Sequence, residues 1–349
     1  MSYDDLVTVT IVTFNSGRFI KRCLESVLEQ KYPNLEVIVV DNASTDGTVD
    51  ILSQFESRCQ IVYNEDNVGF AAAQNQAIAL ARGAWILTLN PDVLLLPTFV
   101  MAMVEAGYVD RRVGTVCGKL LTLTPEFDIP DKPRVDSTGI YFTPTLRHLD
   151  RGSQDVDNGH YLNFEYVFGA TAAAALYRRE MIDDITIGGE FFDPDFFMYR
   201  EDADVAWRAQ LMGWRCVYTP RARGYHVRKV LPGNRRALPP AINMHSVKNR
   251  FLMRLKNMTG DLYRRNWLSI SARDLMVVGC CLLWEHSSLK AFGYLAANYR
   301  RVLAKRREIM RRRRASDAYM AAWFSHQPQS RPAPKPSARL HARVRAARG

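Results

Sequence analysis

At 349 residues with 47% hydrophobic side chains, the chain can bury one large core with room for an appendage. Its net charge of +11 is gathered near the end, at Arg306-Arg307 and Arg311-Arg312-Arg313-Arg314, so it describes one region and not the whole surface. Six cysteines without a C-x-x-C pair argue against a disulfide framework, and the polar, acidic start Met1–Asp5 argues against a secretory signal; both point to reduced thiols and a cytoplasmic location.

The first half alternates regularly. Leu6 to Thr13 is apolar and β-rich. Ser16 to Gln30 carries Phe19, Ile20, Cys23, Leu24, Val27 and Leu28 at helical spacing. Leu35 to Val40 is a second strand, and Asp46 can cap the helix after it. Gln60 to Tyr63 is a short strand, and Gly69 to Arg82 an Ala-rich helix that Gly83 can end. Ala84 to Leu89 is a fourth strand, and Pro97 opens another helix. Such alternation predicts a mostly parallel α/β sheet covered on both faces. The G-x-G-x-x-G of a dinucleotide site does not follow the first strand.

The second half is less regular. Thr122 to Gly159, rich in Pro, Asp and Gly, reads as a long loop or flap. Tyr166 to Tyr177 reads as one small-residue strand, Asp202 to Met212 as a helix, and Trp214 to Thr219 as a strand. Residues 1–240 are expected to form the main domain and 241–315 a basic helical extension. Residues 316–349, Arg/Pro/Ala-rich toward the end, are expected to be disordered. The apolar run Leu275 to Trp284 is about ten residues, short of the roughly 20 that cross a bilayer; it reads either as a buried helix or as an amphipathic surface touching lipid.

Four clusters carry chemistry. Thr13-Phe14-Asn15 puts a hydroxyl, an aromatic face and an amide at a strand end. Asp41-Asn42-Ala43-Ser44-Thr45-Asp46 delivers carboxylates, an amide and hydroxyls into one turn at the end of a buried strand, where α/β sheets bind ligands. In Asn67-Val68-Gly69, a glycine at a helix start lets a ligand approach the backbone, with Asn75 nearby. Asn90-Pro91-Asp92 ends the fourth strand, and Glu201-Asp202-Ala203-Asp204 opens a helix. Asp92 can hold a hard divalent ion, Asp202 can act as a general base, and His226 can add a nitrogen ligand.

The order of these clusters resembles the family 2 inverting glycosyltransferases of the GT-A fold, over about residues 7 to 230. The residues that carry the likeness are Thr-Phe-Asn at 13–15, Asp-Asn-Ala-Ser-Thr-Asp-Gly-Thr at 41–48, Asn-Val-Gly-Phe-Ala at 67–71, Asn-Pro-Asp at 90–92 and Glu-Asp-x-Asp at 201–204. Asn-Pro-Asp and the Phe-Phe-Met-Tyr before Glu-Asp look most like the bacterial rhamnosyltransferase-like branch. The resemblance implies that Thr13, Asn15, Asp41 and Asn42 line a nucleotide pocket, that Asn67, Gly69 and Asn75 lie near the diphosphate or ribose, and that Asn90 sits where many relatives carry Asp. It further implies that Asp92, with His226, binds Mg2+ or Mn2+ and that Asp202 is the base. The implied donor is a nucleotide-sugar, dTDP-rhamnose foremost. The implied acceptor is a saccharide or a polyprenyl-diphosphate-linked saccharide of the cell envelope.

The basic, aromatic-rich end suits an anionic membrane surface at the inner leaflet. A nucleotidyltransferase would want a Gly-rich, basic phosphate loop, of which Ser16-Gly17-Arg18 is a thin version. A nucleic-acid-binding role for the Arg-rich tail leaves the acidic turns unexplained, and nucleic acid is not an expected partner.

Overall fold

The computed structural model describes residues 5–227 and 239–336. In chain order the elements are β1 (Val7–Thr13), α1 (Ile20–Leu28), β2 (Leu35–Asp41), α2 (Thr48–Ser53), β3 (Gln60–Tyr63), α3 (Phe70–Leu80), β4 (Trp85–Leu89), β5 (Val93–Leu95), α4 (Phe99–Gly107) and β6 (Val113–Thr122). There follow β7 (Val135–Ser137), β8 (Ile140–Phe142), β9 (His148–Asp150), β10 (Glu165–Val167), β11 (Ala174–Arg178), α5 (Arg179–Ile185), α6 (Glu201–Leu211) and β12 (Arg215–His226). The chain closes with α7 (Pro240–Asn257), α8 (Gly260–Leu283), α9 (Lys290–Ala297), α10 (Tyr299–Arg312), α11 (Asp317–Ala321) and β13 (Arg331–Pro332).

The central sheet has the order β13-β10-β12-β6-β11-β4-β1-β2-β3. β1, β2, β3 and β4 are mutually parallel, as the strand–helix alternation predicts. β1, β4 and most of β2 are buried on both faces, as strands covered by helices on each side are, while β3 at the sheet edge is partly exposed. β11 runs antiparallel between β4 and β6. All four parallel strands therefore end on one edge of the sheet.

Three expectations need correction. Residues 122–159 are not one loop: β7 pairs with β6, and β8 pairs with β9. The stretch 166–177 is two strands, because the chain breaks at residues 168–173 to reach the end of β4. Residues 316–336, expected to be disordered, are held in place: Trp323 and Phe324 are buried, and Phe324 lies 5.0 Å from the Trp207 ring. β13 adds to β10. Residues 337–349 lie outside the described residues.

The helical extension shares its core with the sheet. Leu252, Met253, Leu262, Ile270, Leu295, Val302 and Ile309 belong to the same apolar cluster as Phe192, Phe196 and Trp207. The apolar run 275–284 is the second half of a 24-residue helix, α8, which by length and composition can cross a membrane. The ten-residue argument against that is removed. The six cysteines are free, and five of them are buried.

Candidate functional site

The donor-side turns interlock. Thr13 stands opposite Asp41 in the parallel register. Asn15, at φ 50°, donates its backbone N–H to Ser44 Oγ at 2.8 Å and accepts at Oδ1 from the Thr45 N–H at 2.8 Å. Asp41 is buried and accepts from the Ser44 N–H at 2.9 Å and hydroxyl at 2.5 Å. Asp46 was expected to cap α2, but the cap position is Gly47; the Asp46 carboxylate instead closes the turn, accepting from the Thr48 and Gly17 N–H groups. Asn42 accepts from Asn64 Nδ2 at 2.8 Å and donates to the Gly69 carbonyl at 3.4 Å. The Thr13 hydroxyl is buried and has no hydrogen-bond partner among the described residues, while the Phe14 ring beside it is exposed. A pocket floor of this kind can meet a polar planar ligand.

Asn67 closes its own turn by accepting from the Gly69 N–H at 2.9 Å. Gly69 has φ +84°, and a Cβ there would meet the Phe197 ring at 2.5 Å. The glycine therefore serves the packing of residue 197, where a ligand had been expected to come close. Asn75 departs from expectation too. Its Nδ2 donates to the Phe192 carbonyl at 2.7 Å and its Oδ1 accepts from the Phe192 N–H at 2.9 Å. That carboxamide clamps α3 to the 190s and is not turned to a diphosphate or ribose.

Asp92 and His226 meet, although they are far apart in sequence. Val93 pairs with His226 across β5 and β12, and the Val227 N–H donates to the Asp92 carbonyl at 3.1 Å. His226 Nε2 lies 3.4 Å from Asp92 Oδ1, and its Nδ1 lies 2.9 Å from Asp136 Oδ2 on β7. Burial works against a charge on this ring, but Asp136 and Asp92 outweigh it and raise its pKa to about 10.

This donor set fits a divalent ion. One carboxylate oxygen and one imidazole nitrogen face each other, and the other ring nitrogen rests on a second carboxylate, as metal-ligating histidines do. Asp92 and His226 would hold the ion, with a substrate's phosphate oxygens and water to complete it. Among the described residues no cluster supplies three or more His, Cys, Asp or Glu donors. Asn90 is half-buried at the same turn, and its backbone N–H donates to the Ala173 carbonyl at 2.9 Å.

Asp202 opens α6. Its Oδ1 accepts from the Ala203 N–H at 2.7 Å and its Oδ2 from the Ala172 N–H at 3.3 Å. Ala172 and Ala173 thus link Asp202 to the Asn90–Asp92 turn. Tyr199 registers both sides of this link: burial, then Glu201 and Asp92, push its hydroxyl up. Glu201 is buried, and burial with Asp202 alongside pushes its carboxyl well up.

The segment before Asp202 is strained. Phe197, Tyr199 and Arg200 have φ of 64°, 65° and 72°. Asn249 of α7 holds it, donating to the carbonyls of Phe196, Met198 and Tyr199 at 2.9, 2.8 and 2.8 Å. Lys256 donates to Asp193 at 2.5 Å and to Asp204 at 3.0 Å. Lys305 donates to Asp193 at 2.7 Å and Asp195 at 3.2 Å. Asp136, Asn249 and Lys256 are absent from the sequence-level expectation. Each sits beside other polar residues, as Asn249 does between Lys248 and Arg250, so nothing local marks it.

A β-sheet with nucleotide-pocket turns at its carboxyl edge and an acidic helix start beside them defines a GT-A architecture. The model described as "Glycosyl transferase family 2" matches residues 8–186, just over half the chain, and the chain belongs to that family. The putative teichuronic acid biosynthesis glycosyltransferase TuaG of Bacillus subtilis is 40% identical over 94 residues, 26% of this chain and 37% of that one. The N-acetylglucosaminyl-diphospho-decaprenol L-rhamnosyltransferase of Mycobacterium tuberculosis is 26% identical over 253 residues, 64% of this chain and 76% of that one. The crystal structure of GalNAc-T7 with UDP, GalNAc and Mn2+ superposes with a TM-score of 0.60 at 13% identity, over 76% of this chain and 51% of that one. The matched part is thus little more than a third of TuaG.

Proposed function

We propose that this protein is a metal-assisted, inverting glycosyltransferase that moves a sugar from a nucleotide-sugar to a saccharide acceptor in cell-envelope polysaccharide synthesis. The observation that carries it is one chain of contacts: Asp202 and the turn that bears the Asp92–His226 pair are linked through Ala172 and Ala173. The interlocked turns at Asn15, Asp41 and Ser44 lie on the same sheet edge and receive the nucleotide. Asp202, fixed by two backbone N–H groups, takes the proton from the acceptor hydroxyl as it attacks the anomeric carbon. A divalent ion bound at Asp92 and His226 supplies Lewis-acid stabilisation to the leaving diphosphate. One essential carboxylate on the acceptor side is enough, unlike the flanking pair of a glycosidase. One displacement step inverts the anomeric configuration.

Within that reading the first donor to test is dTDP-rhamnose, with a lipid-diphosphate-linked saccharide as acceptor. The support is the likeness to the decaprenol-linked rhamnosyltransferase. A panel of dTDP-, UDP- and GDP-sugars, with and without Mg2+ or Mn2+, tests it by donor turnover and by NMR of the product anomer. Turnover of dTDP-rhamnose above the others is expected. Preference for a UDP- or GDP-sugar would move the donor, and no turnover of any donor with either metal would overturn the reading.

A further inference from the structure

Helix α8 packs through one face only. Leu262, Ile270, Val277 and Cys281 point inward, the last two beside Val247 of α7 and Ala291 of α9. Asp274, off the outward face, accepts from Arg254 at 2.5 and 2.6 Å and from Arg250 at 3.2 Å. The opposite face carries Leu268, Ala272, Leu275, Gly279 and Leu282 at spacings of three and four, with Met276 and Leu283 on its flank. Leu268, Leu275, Met276, Leu282 and Leu283 are each 56% to 75% exposed. The two charges between Leu268 and Trp284, Arg273 and Asp274, both lie off this stripe. The stripe runs about 20 Å.

Its ends differ from its middle. Tyr263 and Trp267 are exposed at one end beside exposed Arg264 and Arg265; Trp284 is exposed at the other, with exposed Lys290 beyond it. With the axis in the plane of a lipid surface, the aliphatic stripe faces the acyl chains while the exposed rings and basic groups alongside it sit at headgroup level. Charge complementarity selects the occupant. A second copy would bring one basic rim against another in a chain already at +11, whereas an anionic lipid surface neutralises both.

We propose that the outward face of α8 lies in the headgroup plane of an anionic lipid surface and docks the protein there. It rests on that surface without crossing it. A crossing helix would carry the Asp274–Arg250–Arg254 ion pairs into hydrocarbon and pull α7 from the segment that Asn249 holds. This deepens the lipid-linked acceptor reading, since it puts the base-bearing segment where such an acceptor is embedded. It also shifts membrane contact from the basic tail to α8.

The test uses the full chain in flotation with vesicles of phosphatidylglycerol and phosphatidylethanolamine, against vesicles of phosphatidylcholine alone. Wild type should float with the anionic vesicles, and Leu275→Asp with Leu282→Asp should float at least tenfold less. Arg264→Gln with Arg265→Gln should lose about fivefold per arginine and much of the salt sensitivity. Donor turnover by the Asp double variant should match wild type, which establishes that it is folded. Should it not fold, quenching of Trp267 and Trp284 in wild type by brominated lipid decides instead, and unquenched fluorescence overturns the proposal. Failure of wild type to float, or equal flotation by the Asp variant, overturns it as well. A dimer in light scattering that the Asp variant splits, without flotation, assigns the face to a second copy. Flotation without turnover of any donor leaves docking standing and removes the glycosyl-transfer reading.

Discussion

The 13–48 turns and the segment before Asp202 meet through Gly69 and Phe197 but are held together in opposite ways. Asn15, Asp41, Ser44, Thr45 and Asp46 satisfy one another, all within about one strand–helix–strand unit of sequence. Residues 193–204 close local turns, as in the Asp195 and Phe196 N–H bonds to Asp193, but depend on distant side chains for the rest. Their carbonyls and carboxylates are met by Asn249, Lys256, Asn257 and Lys305, between 50 and 112 positions away. The donor-side turns need only the sheet, but the segment leading to Asp202, the proposed base, leans on the helical extension. The extension is therefore part of the site, whatever else it touches.

The largest effect should follow Asp202→Asn. Removing a general base costs about 10²–10⁴ in kcat. Glu201→Gln, at a buried carboxyl that burial and then Asp202 push upward, should stay within about tenfold. Steady-state rates on the preferred donor check both. Equal losses for the two would mean that Asp202 is not the base.

Next in size is Lys305→Met. Breaking a buried ion pair by removing one partner costs about 3–5 kcal/mol. Burial opposes the Asp193 charge, yet Lys256 and Lys305 hold its carboxyl well below the usual carboxylate range. Burial likewise opposes the Lys305 charge, and Asp193 above all raises it. Asp193's contribution is complete above an unfolded pKa of about 3.9 and is lost as pH falls through its lower folded value. Lys305's contribution is complete below about 10.4 and is lost as pH rises toward its higher folded value. Thermal melts from pH 7 to 2 should show a steep loss below about pH 4 in wild type and a shallower one in the variant. Parallel curves would mean that this cluster does not fasten the extension.

Asp136→Asn and Asn249→Ala act on either side of the site. The first weakens the partner that orients His226, so metal affinity should fall by about 10- to 100-fold, with turnover restored at high Mn2+. Metal titration of turnover measures it, and an unchanged midpoint would disconnect β7 from the ion. The second leaves three carbonyls without their donor, a cost of about 1–3 kcal/mol. It should lower kcat and leave the donor KM alone, because Asn249 reaches the base segment and not the nucleotide turns.

The same contrast explains what the sequence revealed. The parallel half of the sheet and the 13–48 turns were legible because each strand and turn is written in adjacent residues. His226 was legible as a candidate ligand, but Asp136 was not, since 90 positions separate them and β7 lay inside an expected loop. Asn75 and Gly69 matched the family's pattern, yet their immediate partners are Phe192 and Phe197, which no local rule connects to them. Helix α8 was half visible: Arg273 and Asp274 in its middle cut off the apolar run that marked its second half. Residues 316–336 read as disordered because their few large side chains, Met320, Trp323 and Phe324, show no period. Those side chains fill a gap beside Phe142 and Trp207 that exists only in the fold.

The smallest effect, and the sharpest discriminator, is expected from Ser44→Ala. The hydroxyl donates to Asp41 and accepts from the Asn15 N–H, so two hydrogen bonds go. The Asn15 site is exposed and can turn to water, which limits the loss to about 1 kcal/mol. The donor KM should rise a few-fold while kcat stays put, because Asp202 is fastened from the other side. Asn249→Ala should give the reverse pattern in the same assay. If Ser44→Ala lowered kcat more than Asn249→Ala did, the two halves of the site would not be separately supported, and the extension would lose its place in it.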